Sequence, residues 1–424
     1  MKKVLIITYY WPPFGGSGVQ RWLKFVKYLQ DYNWKPIIYT PKNPYIEIFD
    51  KDLLDDIPED INVWKTNIWE PYKIKDFLFG NQNDNQSSGI VNNRNFKDKF
   101  LNWIRGNIFI PDPKKYWVSP SIKYLKKRIK NNNINHIITT GPPHSMHLIG
   151  LGLKSTMPKI KWIADFRDPW SDIDLLDSFH LSDYAQNKNQ KLETEVLKKS
   201  NAIIAVSETW RDNLILKGAN HVELITNGYD ESDFKNCKLI KSDKFIIGHY
   251  GLLNKIRNPK LLWKILNELC EENVKFNSNL EIRLSGNIDN NIITSIKSFP
   301  FLKDKLVHLG NLTHKQVIKE YFSTSVLLLL LFNSQSGKGN YPGKLFEYFA
   351  TKNPILAFGP KESDVKNLLR LTNKGLYFNY ENEKNIKEGI INLFENKIKF
   401  AQKSMLNFTR KELTMKLSDL LNKI

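Results

Sequence analysis

A lysine and a glutamate, Lys344 and Glu347, stand three residues apart behind the glycines Gly337, Gly339 and Gly343 in SQSGKGNYPGKLFEYFATKNPIL (334–356). Glycine lets a ligand approach the backbone, lysine supplies charge for phosphate, and a glutamate one turn on accepts hydrogen bonds from a diol such as a ribose. The apolar run SVLLLLLF (325–332) before them reads as a buried strand. The group, with Tyr341, therefore sits where a strand passes into a helix; the alternative is a solvated, charged helix start. GHYGLLNKIRNP (248–259) has the same layout. A strand ends at Gly251, and Lys255 and Arg257 lead into a helix, a basic pair suited to clamping a diphosphate.

Three more strand-to-helix loops carry polar groups. VLIITYYWPPFGGSG (4–18) sets Gly15 and Gly16 before a helix, whose amides and dipole attract an anion. It is neither GxGxxG nor a Walker motif, which disfavours a nicotinamide cofactor. TTGPPHSMHLIG (139–150) delivers His144, which either bonds a sugar hydroxyl or phosphate or is a buried cap; His147 lies three residues on, with no carboxylate spacing for a metal. WIADFRDPWSD (162–172) delivers Asp165, Arg167 and Asp168, either a polar binding edge or an ion pair fixing the loop. Asp172 and Asp174 match the letters of a DxD metal triplet but trail a loop of the first domain, and no metal is expected.

These loops need strands and helices to hold them. Apolar runs at 4–8, 36–40, 134–139, 161–164 and 202–206 alternate with helical patterns; Val19, Trp22, Leu23, Val26 and Leu29 share one helical face. The pattern restarts at 245–250, 280–285, 307–309, 326–332 and 355–358, after the polar stretch DESDFKNCKLIKSDK (230–244). Alternating strands and helices imply parallel sheets with helices on both faces, here in two domains. Residues 80–89 read as a mobile polar loop. The segment from Asn95 to Trp117 mixes aromatic and basic residues, as a helix lying on an anionic membrane surface does, or as an ordinary packed helix does.

Composition bounds the possibilities. The 424 residues exceed what one core usually holds. No apolar run approaches the ~20 residues of a membrane span, and the short run at the start lacks a cleavage site, so it reads as a first strand. Cys237 and Cys270 make no disulfide framework, and a cytoplasmic setting fits. The net charge of +19 suits phosphate-bearing ligands, an anionic surface or nucleic acid, but the lysines are scattered and form no nucleic-acid motif.

Taken in order, residues 9–25, 140–148, 164–170, 205–208, 227–230, 248–259 and 341–356 resemble a retaining glycosyltransferase of the GT-B architecture, in the large nucleotide-sugar-dependent family four. The resemblance implies an α/β fold of two Rossmann-like domains facing across a cleft: an acceptor-side domain 1–233, a nucleotide-sugar-binding domain 234–411, and a terminal helix 412–424 returning to the first. It implies that Glu347 holds the ribose, and that Gly251, Arg257, Tyr341, Gly343 and Lys344 hold the donor with Gly15 and Gly16 near its sugar. It also implies that His144 and Asp165 serve at the reaction centre, with Arg167 and Asp168 on the acceptor side. Two positions depart from the family: Gly339 replaces the first of its paired glutamates, and Leu252 replaces the arginine of its basic clamp. The implied reaction is metal-independent transfer from a nucleotide-diphosphate sugar to a glycan or lipid-linked acceptor, cytoplasmic and peripheral to the plasma membrane. Were the reaction inverting, Asp165 would be the first candidate for its general base. The rival readings are a nucleotide-sugar epimerase of the same architecture and a degenerate binding protein.

Overall fold

The computed structural model describes residues 1–46, 49–71, 96–235, 237, 242–401 and 405–424. The polar loop 80–89 and Asn95 lie outside them. The chain divides into two compact units, Met1–Asn227 with Arg410–Ile424, and Gly228–Thr409.

The first unit holds seven strands: β1 (Lys2–Ile7), β2 (Trp34–Pro41), β3 (Asn62–Thr66), β4 (His136–Gly141), β5 (Lys161–Phe166), β6 (Ala202–Ala205) and β7 (Val222–Leu224). Their order is β3-β2-β1-β4-β5-β6-β7, with every pairing parallel. The order reverses between β1 and β4. Open α/β sheets leave a crevice there, outside the carboxyl ends of the strands. The central strands β1, β4 and β5 are buried over most of their length because helices cover both faces. The first helix (Ser17–Leu29) buries Val19, Trp22, Leu23, Phe25, Val26 and Leu29. The last helix (Arg410–Lys423) adds Leu413, Leu417, Leu420 and Leu421 to the same core and packs on the first.

The second unit repeats the plan with β8 (Phe245–Tyr250), β9 (Leu280–Ser285), β10 (Leu306–His308), β11 (Val326–Leu330), β12 (Ile355–Gly359) and β13 (Gly375–Asn379), ordered β10-β9-β8-β11-β12-β13 and all parallel. The apolar run of residues 325–332 is central β11. Val326, Leu328 and Leu330 face one helix layer, while Leu327, Leu329 and the following Leu331 face the other. Its order reverses between β8 and β11, so the GHYG loop and the glycine-rich loop leave from adjacent strands.

Candidate functional site

In the second unit the switch point gathers the basic residues. Gly251 follows β8 at φ 140°, a conformation that favours glycine. A Cβ there would lie 2.5 Å from Lys344 Nζ, so the missing side chain makes room for the ammonium group. Lys344 stands at the start of the helix Gly343–Phe349 and donates to the Tyr250 carbonyl at 2.7 Å. Arg257 ends the 3-10 turn Lys255–Arg257, whose N-cap, Asn254, accepts from its backbone N–H. Its guanidinium lies 3.8 Å over the Phe332 ring, just past β11, and its buried Nε has no hydrogen-bond partner among the described residues.

Among the described residues, neither cation has a carboxylate partner within ion-pair distance. Burial, and then the neighbouring Arg257, push the Lys344 ammonium down to about 7 while Glu347 opposes; burial pushes Arg257 down to about 10. Two desolvated positive charges side by side attract an anion. Glu347, one turn on, is fixed by His314 Nε2 at 2.9 Å and by the Tyr321 hydroxyl at 2.8 Å, and is mostly buried. Tyr341 does not join the group: it is 5% exposed in the core behind the helix, with its hydroxyl on the Asp364 carbonyl.

In the first unit the switch point is a pocket of about 240 Å3. Gly15, Gly16 and Gly18 form one side at the start of the first helix; Tyr9, Tyr10, Phe14 and Tyr45 form an aromatic wall; Lys114, Pro142 and Arg167 close it. Tyr10 meets Tyr9 and Phe14 edge-on, with centroids 5.0 and 5.4 Å apart. Glu70, 1% exposed, braces the wall: it accepts from Tyr9 Oη at 2.7 Å and Tyr45 N at 2.9 Å, and pairs with Lys114 at 3.3 Å. Burial, then Glu70, raise the Tyr9 phenol far above its ordinary range, so it stays protonated.

Arg167 donates to the Pro142 carbonyl, and its buried Nε has no hydrogen-bond partner among the described residues. Asp168, next in sequence, lines a separate cavity of about 20 Å3 with Asp172, Glu193 and Lys217, roughly the space of one water. Burial raises its carboxyl to about 6, against the pull of Arg167. The expected acceptor-side pair is therefore split between two cavities.

His144 and Asp165 line neither cavity. Asp165 is fully buried: Arg21 donates to both of its oxygens, at 2.9 and 3.4 Å, and Trp22 Nε1 and Thr140 Oγ1 each donate at 2.8 Å. Arg21 also donates to the carbonyls of Ile225 and Thr226. With four hydrogen bonds and no exposure, this carboxylate is placed to hold β5, the first helix and the end of β7 together. His144 stacks on Trp170 at 4.8 Å, and His147 on Phe166 at 4.5 Å. Burial, then the neighbouring His147, keep His144 neutral.

Glu70, Lys114, Tyr45, His314, Tyr321 and Phe332 belong to these sites yet sit in no loop motif. Each comes from a segment far along the chain from the group it touches, so spacing carries no signal for them.

No protein-family model matches the chain, and no curated protein matches it by sequence. Solved structures match its fold end to end. Sucrose-phosphate synthase from Thermosynechococcus elongatus has a TM-score of 0.63 at 11% identity, over 100% of this chain and 99% of that one. S. aureus TarM with fondaparinux, α-GlcNAc-glycerol and UDP gives 0.59 at 11%, over 100% and 97%. A candidate UDP-N-acetylglucosamine 2-epimerase from Listeria monocytogenes gives 0.57 at 9%, over 100% and 96%. With its two parallel sheets, the chain is an α/β protein of two Rossmann-like domains of the GT-B class.

Proposed function

We propose that the chain is a glycosyltransferase that moves a sugar from a nucleotide-diphosphate sugar to a glycan or lipid-linked acceptor, with retention and without a metal ion. The observation that carries this reading is the pair Arg257 and Lys344, two desolvated cations with no carboxylate partner among the described residues, at the switch point of the second unit. A diphosphate supplies the missing charge; Gly251 and Gly343 give it backbone access, and Glu347 takes the ribose hydroxyls. Gly15 and Gly16 border the transferred sugar, and Tyr341 supports the loop from behind.

In the reaction, the bond from the anomeric carbon to the β-phosphate oxygen breaks. The acceptor oxygen bonds to that carbon on the same face, and the acceptor's proton passes to the departing phosphate. Arg257 and Lys344 stabilise the charge that develops there, the role a divalent ion plays elsewhere. No protein base is required, which accords with the locked environment of Asp165. His144, neutral and buried, orients the loop that carries Arg167 and Asp168.

Among the described residues, no helix is long and apolar enough to cross a membrane. Trp69, Phe100, Trp103, Ile108 and Tyr116 are exposed, and Lys115 lies over the Tyr116 ring. With the net charge of +19, this supports a cytoplasmic enzyme resting on an anionic membrane, while the scattered lysines, forming no nucleic-acid motif, speak against a nucleic-acid role. The second reading, an epimerase, is favoured by the likeness to the Listeria protein.

The test is to incubate the protein with UDP-sugars, with and without acceptor extracts, and follow products by NMR. UDP release that depends on acceptor, with a retained anomeric configuration, supports transfer. Interconversion of the free nucleotide sugar without acceptor supports the epimerase and overturns transfer.

A further inference from the structure

We infer that His249 is a positioning residue of the second unit's site: its imidazole donates from Nε2 to the Leu252 carbonyl and so holds the loop that carries Arg257. This rests on the reading of that loop as a diphosphate site. His249 stands near the end of β8 and is fully buried. One edge of β8 pairs with β9 as far as Tyr250, but the other pairs with β11 only at Ile247 and Gly248. The imidazole stands where that ladder stops. Its Nδ1 lies 3.1 Å from the Leu328 carbonyl of β11, and its Nε2 lies 3.2 Å from the Leu252 carbonyl, in the loop after β8.

Both ring nitrogens thus meet acceptors, and a neutral imidazole has one N–H to give. The ring is neutral: burial, then Lys344, and further Arg257 disfavour a second proton, against the pull of the two carbonyls. The two carbonyls are not equivalent. Leu328 also receives the Tyr348 hydroxyl, at 3.4 Å. Among the described residues, Leu252 receives no other donor. The N–H therefore counts for more on Leu252, whose carbonyl its loss leaves unpaired.

The Leu252 peptide lies between the two cations. The Tyr250 carbonyl, two residues earlier, accepts from Lys344 at 2.7 Å. Two residues later, Asn254 caps the turn that ends in Arg257. Between them, Leu253 N donates to Asn287 O at 3.0 Å and Leu253 O accepts from Asp289 N at 2.9 Å, which ties the loop to the segment after β9. His249 supplies the tie on the opposite side, toward β11. With both ties made, the turn and its guanidinium keep a fixed spacing from Lys344. Fully buried, His249 acts through Arg257 and not on a ligand.

The experiment uses the full chain and the variants His249→Gln, His249→Asn and His249→Ala. A glutamine amide nitrogen falls near the place of Nε2, and an asparagine amide nitrogen near that of Nδ1. Both lose the ring and keep one donor, so they separate the two contacts. Affinity for UDP, GDP, ADP and pyrophosphate is measured by calorimetry, amide exchange over residues 251–257 by mass spectrometry, and stability by melting temperature.

The expected result is that His249→Asn and His249→Ala weaken the bound nucleotide by about tenfold, the weight of one hydrogen bond, and speed exchange in the loop. His249→Gln recovers most of both, although its melting temperature falls as that of His249→Asn does. Should His249→Ala fail to fold, the comparison of glutamine with asparagine decides. Recovery by asparagine instead of glutamine, equal affinity in all variants, or losses that only track melting temperature overturn the inference. Wild type that binds neither nucleotide nor pyrophosphate sinks the diphosphate reading instead, and the exchange comparison then scores the hold of His249 on the loop by itself.

Discussion

Lys344 is the residue with the sharpest consequence. Its ammonium sits near pH 7 in the free protein, against an ordinary value of 10.5. A bound diphosphate favours the charged form and raises that value, so above pH 7 binding takes up a proton. Affinity for UDP is therefore expected to fall as pH rises from 7 to 9, approaching tenfold per pH unit. Lys344→Arg, charged throughout, flattens the slope; a titration at several pH values reads both. The sign for stability is the opposite. The unfolded chain binds the extra proton between about pH 7 and 10.5, so this residue's contribution to stability rises with pH across that window. Glu347→Ala is expected to cost about 1–3 kcal/mol by orphaning the buried Tyr321 hydroxyl, measurable by denaturant unfolding, and to weaken UDP binding. Lys344 and Glu347 were legible in the sequence because one short helix carries both. Glu70 and His314 were not, since each reaches its partners only through the folded sheets.

At the scale of elements, Asp165 shows why a motif can be legible while its role is not. WIADFRDPW announces a strand delivering charge to a loop, and β5 does so. What the letters omit is Arg21, 144 residues earlier, which arrives on the first helix and pairs with Asp165 in a dry interior. Asp165→Ala is expected to cost about 3–5 kcal/mol, because it leaves Arg21 buried and unpaired. Chemical denaturation checks this, and a purely chemical role would leave stability unmoved. The central strands were readable as continuous apolar runs. The edge strands β3, β7 and β13 were missed because half-exposed positions mix polar and apolar residues: Asn62–Thr66 reads NVWKT with only Trp64 buried. Their pairing is imposed by the neighbouring strand rather than written in their own pattern.

At the scale of the molecule, the first unit is discontinuous, since its core takes Leu413, Leu417, Leu420 and Leu421 from the far end of the chain. Removing 410–424 is expected to abolish the first unit's cooperative unfolding in calorimetry while the second unit keeps its own transition, with Leu417→Ala costing about 2–5 kcal/mol. Two parallel sheets of like strand order each bring cations to the switch point, and under the proposed reading the second sheet holds the diphosphate. The central claim is that Arg257 and Lys344 form a metal-free nucleotide diphosphate site. Its most direct test is a thermal-shift titration of wild type, Arg257→Met and Lys344→Met with UDP, GDP and ADP, each with and without EDTA. The expected result is stabilisation by one nucleotide, about 2.7 kcal/mol at a concentration 100 times its Kd, unchanged by EDTA and lost in both variants. No stabilisation of wild type by any of the three, or a shift that EDTA removes, would contradict it.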